Sequence, residues 1–279
     1  MSAWTRLRDR ALSWLAAALG LSGAATVAGC EDGALAPPSA WDKATKASCW
    51  FQNAAHRAMN VLSPLMPDDV FRARVAEMKA RGVNTAHVIL VNRGDGEYAG
   101  YSPWGVGAAP AAAECDKATA ELMAGRIRAL RREGWAVVVW IEADDSAAWA
   151  RALAANAGEC LRHIAAAGLL ADASIVVAGL EMDEYWGAAE AAAVVSSVRK
   201  VWGGKVGVHH LSHRATFAGL GDILFYQVSE GRSAAQIAQD VAAAKGAGKP
   251  VCLFELARNP DRALCEAALK AGAFAVGNW

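Results

Sequence analysis

Short apolar segments without intervening polar residues recur along this chain and constrain its fold more than any other feature. Residues 85–91, 135–141 and 174–180 are three of them, and they are rich in Val and Ile. A strand with one face in water alternates apolar and polar residues, whereas a continuously apolar strand is buried on both faces. The segments therefore predict a parallel sheet whose strands are covered by helices.

Helical patterns separate most of these segments. Residues 68–81 place Phe71, Val75 and Met78 on one face, and Ser233 is a suitable N-cap for a helix ending near Gly246. Eight such strands in about 230 residues predict an α/β fold, a single (β/α)8 barrel (TIM barrel) spanning residues 48–279. A doubly wound open sheet is the alternative, but no glycine fingerprint follows any strand.

The two ends of the chain modify this prediction. The chain stops at the eighth strand, so the barrel is expected to have no usual last helix. Residues before Cys49, including an N-terminal helical extension, are expected to cover the resulting gap.

Residues 1–30 have the composition of a targeting segment. Three arginines precede an apolar stretch that ends in small residues and Cys30, which resembles a bacterial lipoprotein signal peptide. The alternative is an amphipathic anchor helix that is retained. Residues 31–47, with Pro37 and Pro38, are interpreted as a linker. A lipidated Cys30 would attach the protein to a membrane, so we expect a cell-envelope or extracellular location.

Charge and cysteine content exclude several function classes. The formal net charge is zero, which argues against nucleic acid as a partner. Six cysteines occur without a CxxC motif or zinc-type spacing, so they are interpreted as buried thiols. His209 and His210 are adjacent on a strand and therefore face opposite ways, so a hydrogen-bonding role is favoured over a metal site.

Acidic and aromatic residues follow the apolar strands. Because the carboxyl ends of barrel strands meet at one rim, these side chains are expected to surround one cavity. Glu181 and Glu255, which end the fourth and seventh strands, are the candidate catalytic pair. The candidate substrate-binding residues are Asn92, Trp104, Glu142, Asp183, Glu184, Trp186, His209, Tyr226, Arg258 and Trp279.

Two facing carboxyl groups are what glycoside cleavage requires. One donates a proton to the leaving oxygen, and the other acts as nucleophile or base. Trp104, Trp186 and Trp279 add flat apolar faces suited to sugar rings. The strand ends thus indicate a carbohydrate substrate.

The layout resembles the clan A glycosidase barrels, in which the acid/base ends strand four and the nucleophile ends strand seven. The resemblance implies that Glu181 is the acid/base, Glu255 the nucleophile and Trp279 a floor for a sugar, with no cofactor or metal. It also implies that Tyr226 hydrogen-bonds the nucleophile. That clan commonly has Asn before the acid, where this chain has Leu180, so Glu184 is a substitute candidate.

A second resemblance and a second function stay open. Residues 60–64 and 254–258 also resemble glycosidase-like barrels of phage and prophage proteins, which would place the chain in a virion, attached through the N-terminal helix. The two glutamates are alternatively structural ion pairs with Arg93 or Arg258. The chain would then be a non-catalytic barrel that binds glycan or builds structure.

Overall fold

The computed structural model of the protein describes residues 48–51, 61–80, 85–92, 100–142, 147–210, 217–227, 231–254 and 262–278. Its centre is a sheet of parallel strands, each paired with its neighbours. The strands are β1 (Ser48–Phe51), β2 (Thr85–Val91), β3 (Ala136–Glu142), β4 (Ile175–Val177), β5 (Lys205–His210), β6 (Ile223–Gln227), β7 (Val251–Phe254) and β8 (Ala275–Asn278).

The sheet curls until its first and last strands meet. Each strand pairs with the next along the chain, and Ser48 of β1 lies opposite Val276 of β8. The predicted parallel α/β architecture is therefore confirmed. Strands β2 to β7 form six consecutive members of the curled sheet, and the pairing of β1 with β8 completes the order.

Helices lie between the strands. They are α1 (Asp68–Ala80), α2 (Lys117–Arg132), α3 (Ala147–Ala155), α4 (Ala157–Ala166), α5 (Met182–Tyr185), α6 (Ala188–Val201), α7 (Ala234–Lys245) and α8 (Arg262–Lys270). Local sequence explains several of their starts. Asp116 accepts a hydrogen bond from the Thr119 amide at 2.8 Å, and the Ser233 amide donates to Gln236 Oε1 at 2.9 Å, as N-caps do.

The core has two layers. The inner cluster fills the barrel and contains Ile89, Val138, Trp140, Ile175, Val177, Leu180, Ile223, Phe225 and Cys252. The larger outer cluster lies between the strands and the helices and includes Leu90, Val139, Val176 and Val208. Alternate residues of each strand enter alternate layers, so both faces of the strands are buried, as the continuous apolar pattern predicted.

Gly207 shows how closely the inner layer is packed. A Cβ at this position would lie 2.5 Å from the Phe225 ring and 2.9 Å from Val177. Glycine is therefore required where β4, β5 and β6 approach one another inside the barrel.

The structure differs from the sequence prediction at three places. The apolar stripe of Trp149, Leu153, Leu161 and Ile164 predicts one helix up to Ala167, but the structure has two helices, α3 and α4, separated at Asn156. Strand β4 is only three residues long, although the amides of Ala178 and Leu180 still donate to the carbonyls of Gly207 and Glu142 on the neighbouring strands. The long loop after β2 contains a hairpin, Tyr101–Ser102 paired with Gly105–Val106.

Predictions for the N-terminus, residues 1–30 and 31–47, lie outside the described residues. Among the residues that are described, no helix is long and apolar enough to cross a bilayer. Among the described cysteines, Cys160 and Cys252 are buried and Cys115 is half-buried.

Candidate active site

Glu181 has an unusual backbone conformation at the end of β4. Its φ of 46° and ψ of 45° are left-handed, and no other described residue except glycine has a positive φ. This conformation costs an L-residue with a Cβ about 1–2 kcal/mol. Such strained residues cluster at functional sites, where the surrounding structure enforces them.

The environment of Glu181 is buried. The residue is 6% exposed, and it is the N-cap of α5 without using its side chain for the cap. Its backbone carbonyl accepts a hydrogen bond from the Glu184 amide at 2.8 Å, and its amide donates to His209 Nδ1 at 2.7 Å. Both sides of the residue are therefore held by hydrogen bonds.

His209 lies inside the barrel. Because successive strand residues face opposite ways, only one of His209 and His210 was expected to do so. His209 is opposite Phe225 in the register of β5 and β6, and its ring meets Trp140 edge-on at 5.3 Å. It is fully buried, and this burial holds the pKa of its imidazole well below the usual range. A neutral His209 that accepts at Nδ1 must carry its proton on Nε2.

Trp140 connects His209 to a second buried imidazole. The indole Nε1–H of Trp140 donates to His87 Nδ1 at 3.0 Å, and burial likewise lowers the pKa of His87. The rings of His87, Trp140, Phe225 and His209 pack as one aromatic layer beneath the rim.

Glu142 ends β3 beside the backbone segment that leads to Glu181. It is two residues beyond Trp140 on β3 and therefore faces the same side, towards the barrel axis. It is 1% exposed, and its carbonyl accepts the Leu180 amide at 2.9 Å. Thus Glu142, Glu181 and His209, which are distant in sequence, come together on β3, β4 and β5.

The acids that follow Glu181 are more exposed. Asp183 is half-buried and Glu184 is exposed on α5. Among the two alternatives for the acid, Glu181 is thus the one inside the fold.

Trp186 is a packing residue rather than an open platform for sugar. It is 4% exposed, and its indole N–H donates to the Ala150 carbonyl at 3.0 Å. A Cβ at Gly179 would lie 2.6 Å from the Trp186 ring, so the ring covers the backbone at the end of β4. Trp186 therefore helps to shape the backbone segment that carries Glu181.

Asn92 and Trp104 belong to the region of the hairpin. Asn92 is 1% exposed and exchanges both backbone hydrogen bonds with Tyr101, at 2.8 and 2.7 Å. Trp104 is half-buried, and its Nε1 donates to the Ala113 carbonyl at 2.8 Å. These contacts hold the hairpin against the barrel, and any sugar contact by either residue stays a prediction.

Strand β6 presents a different residue to the axis from the one singled out in the sequence. Tyr226 pairs with His210 and packs in the outer cluster with Ile237, so it faces the helices. Gln227, two residues after the inward Phe225, is on the axis side and is half-buried. Both residues end the strand, and the alternation of its side chains determines which of them faces the axis.

His210 is also on the outer face. Its Nε2 accepts a hydrogen bond from the Phe217 amide at 2.7 Å, and burial lowers the pKa of its imidazole, partly offset by Asp183. No group of three His, Cys, Asp or Glu residues suited to a metal ion occurs within the described ranges.

Four of the residues singled out in the sequence, Glu255, Arg258, Trp279 and Arg93, lie outside the described part of the chain. The predicted partner of Glu181 is one of them. The roles of all four stay predictions.

No protein-family model matches this chain, and no curated protein matches it in sequence. Solved structures match it in fold. A glycoside hydrolase family 5 protein from Bacteroides vulgatus superposes with a TM-score of 0.60 at 13% identity, covering 83% of this chain and 58% of that protein.

Two further neighbours are similar over most of their own length. A family 5 broad-specificity endoglucanase from Clostridium acetobutylicum has a TM-score of 0.56 at 13% identity, covering 83% of this chain and 86% of the other. A family 113 β-1,4-mannanase has a TM-score of 0.55 at 10% identity, covering 84% and 87%. The chain therefore has a glycoside hydrolase-like fold, and none of these neighbours supports the resemblance to phage barrels.

Proposed function

We propose that this chain is a retaining glycoside hydrolase that acts on a polysaccharide or a cell-envelope glycan. In this proposal the complete domain is an eight-stranded (β/α)8 barrel, Glu181 is the acid/base, and Glu255 is the nucleophile. The similarity to glycoside hydrolases of two families supports the class of reaction. The pairing of β1 with β8 supports the closed barrel.

The conformation of Glu181 carries the proposal. A buried acid at the end of the fourth barrel strand is held in a strained backbone geometry by hydrogen bonds on both of its sides. A residue that served only in packing or in a surface ion pair would adopt an ordinary conformation at lower cost. The strain at Glu181 is explained if the position of its carboxyl group matters for the cleavage reaction.

The reaction proceeds in two displacements. Glu255 attacks the anomeric carbon and forms a glycosyl ester, while the carboxylic acid of Glu181 gives its proton to the departing glycosidic oxygen. The Glu181 carboxylate then takes a proton from water, whose oxygen attacks the anomeric carbon and releases Glu255. The product keeps the configuration of the substrate.

The substrate class is tested with a panel of glycans. The full chain is incubated with β-1,4-mannan, mixed β-glucans, chitin and peptidoglycan, and new reducing ends are measured. Glu181→Gln and Glu255→Gln are expected to abolish activity with unchanged circular dichroism. Glu121→Gln, in the exposed face of α2, is the matched control and should behave like the wild type.

Two outcomes would change the proposal. Loss of activity in Glu184→Gln but not in Glu181→Gln would transfer the acid/base role to Glu184. Binding of a glycan without hydrolysis, unaffected by both glutamine variants, would favour a non-catalytic barrel instead.

The location of the protein is a separate proposal. The basic, then apolar, then small residues before Cys30 support lipidation at that cysteine and attachment to the cell envelope. Mass spectrometry of the N-terminal peptide from membranes is expected to find a lipid on Cys30. An unmodified peptide beginning at Met1 would favour a retained helix.

A further inference from the structure

We propose that His209 is a positioning residue that holds the backbone of Glu181 in its left-handed conformation. The effect of His209 on catalysis rests on the proposed function, whereas its effect on the backbone of Glu181 does not. The contact itself is between the Glu181 amide and His209 Nδ1, at 2.7 Å. It replaces the earlier expectation that His209 binds substrate, because His209 is fully buried.

The hydrogen-bonding pattern at the end of β4 explains why such an acceptor is needed. The Leu180 amide donates to the Glu142 carbonyl of β3, which is the last link of that segment to the neighbouring backbone. The next amide, that of Glu181, donates to His209 Nδ1 inside the barrel rather than to a main-chain carbonyl. A buried amide without an acceptor costs about 1–3 kcal/mol, so the imidazole determines whether the left-handed turn at Glu181 is tolerated.

The tautomer and orientation of His209 suit this role. An Nδ1 that accepts an amide hydrogen is unprotonated, and the neutral ring carries its hydrogen on Nε2. Within the described residues, Nε2 has no hydrogen-bond partner, so the Glu181 amide is the polar contact that the ring makes there. Packing against Trp140 at an interplanar angle of 70° fixes the plane of the ring.

His210 provides a natural comparison in the next residue. It is also buried, and its Nε2 accepts a backbone amide at 2.7 Å, but this amide belongs to Phe217 on the outer side of the sheet. The two histidines thus make the same kind of contact in opposite layers. Only the contact of His209 reaches the candidate acid.

Two substitutions at His209 separate positioning from packing. His209→Leu keeps much of the apolar volume but has no acceptor, whereas His209→Asn has an oxygen near the position of Nδ1 but leaves a cavity. The stability of the fold is expected to be higher in the leucine variant. The value of kcat is expected to be higher in the asparagine variant.

The expected size follows from the sensitivity of catalysis to geometry. A misplacement of about 1 Å costs on the order of 100-fold in rate, so His209→Leu should lower kcat about 100-fold with little change in KM. His209→Asn should recover about tenfold of that loss. The control His210→Leu should lose stability but retain kcat. If kcat follows stability across the three variants, the inference is wrong.

A readout without activity tests the contact directly. In 15N-labelled protein, the wild-type Glu181 amide is expected to be protected from hydrogen exchange, and His209 to show an unprotonated Nδ1. His209→Leu should lower the protection of this amide at least tenfold, while His210→Leu should leave it unchanged. Equal protection in His209→Leu and wild type would overturn the inference.

The two measurements also separate this inference from the proposed function. If no glycan is hydrolysed but exchange at Glu181 depends on His209, the hydrolase proposal fails and the positioning of the backbone is supported. If a glycan is hydrolysed and exchange does not depend on His209, the hydrolase proposal stands and the role of His209 is rejected.

Discussion

Arg126 links the first two βα units of the barrel, and its removal has a predictable cost. The side chain on α2 is only 4% exposed. Its Nη1 donates to the carbonyls of Val61 and Ser63 at 3.0 and 2.8 Å, and its Nη2 donates to Met66 at 2.6 Å. One guanidinium therefore satisfies three buried carbonyl groups in the segment that leads into α1.

The magnitude follows from those three carbonyls. A buried acceptor that loses its donor costs about 1–3 kcal/mol, so the loss of three should lower the free energy of unfolding of Arg126→Met by at least about 3 kcal/mol. The hydrogen bond to Asp68 Oδ1, at 2.9 Å, is left out of this sum because that side chain is 70% exposed and solvent screens the pair. Methionine fills much of the same volume, so the cavity adds little.

Equilibrium unfolding in urea, followed by circular dichroism, measures this cost. Arg128→Met is the matched control on the same helix, because Arg128 is 56% exposed and lies 3.7 Å from Asp172. That control should change the free energy of unfolding by less than about 0.5 kcal/mol. Equal losses in Arg126→Met and Arg128→Met would refute the reasoning from buried carbonyls.

Three further predictions concern the rim. Glu181→Asn should raise the free energy of unfolding by about 1 kcal/mol, because Asn tolerates the left-handed region better, and it should abolish activity. A thermal melt measures the stability and the glycan assay measures the activity. A variant less stable than the wild type would contradict the backbone strain at Glu181. Gly179→Ala should destabilise the fold by about 1–3 kcal/mol because the new Cβ meets the Trp186 ring. The control Gly158→Ala should not, because its Cβ would enter open space. Equal unfolding midpoints of the two variants would contradict the close approach of Trp186 to Gly179. The pKa of His209 is lowered by burial, so below about pH 6.5 the unfolded chain binds a proton that the folded chain does not, and stability falls as pH decreases. His209→Leu should flatten this dependence in urea titrations between pH 7.5 and 5, and an unchanged slope would contradict it.

The architecture was largely predictable from the sequence, because burial on both faces of a strand leaves a clear pattern. The segment 174–180 contains β4, residues 85–91 form β2, and Ser233 caps α7 as predicted. The division at Asn156 was not predictable, since the apolar stripe continues from α3 into α4 and only the backbone turns.

The candidate site was predictable in its acids but not in its contacts. Glu142 and Glu181 each come directly after a run of apolar residues, and this pattern is visible in the neighbouring sequence. The contact between the Glu181 amide and His209 joins residues 28 positions apart, and no local pattern indicates it. The buried packing of Tyr226 and Trp186 was not predictable either, because aromatic residues near a strand end look alike in sequence whether they face the axis or the helices.

In the proposed mechanism, Glu181 and Glu255 face each other across one cavity at the rim. The most direct measurement is the distance between their carboxyl groups in a crystal structure of the wild-type protein. A distance of about 5–5.5 Å, the separation of a retaining pair, is expected. Carboxyl groups that point away from each other, or that are each paired with an arginine and leave no space for a sugar, would contradict it.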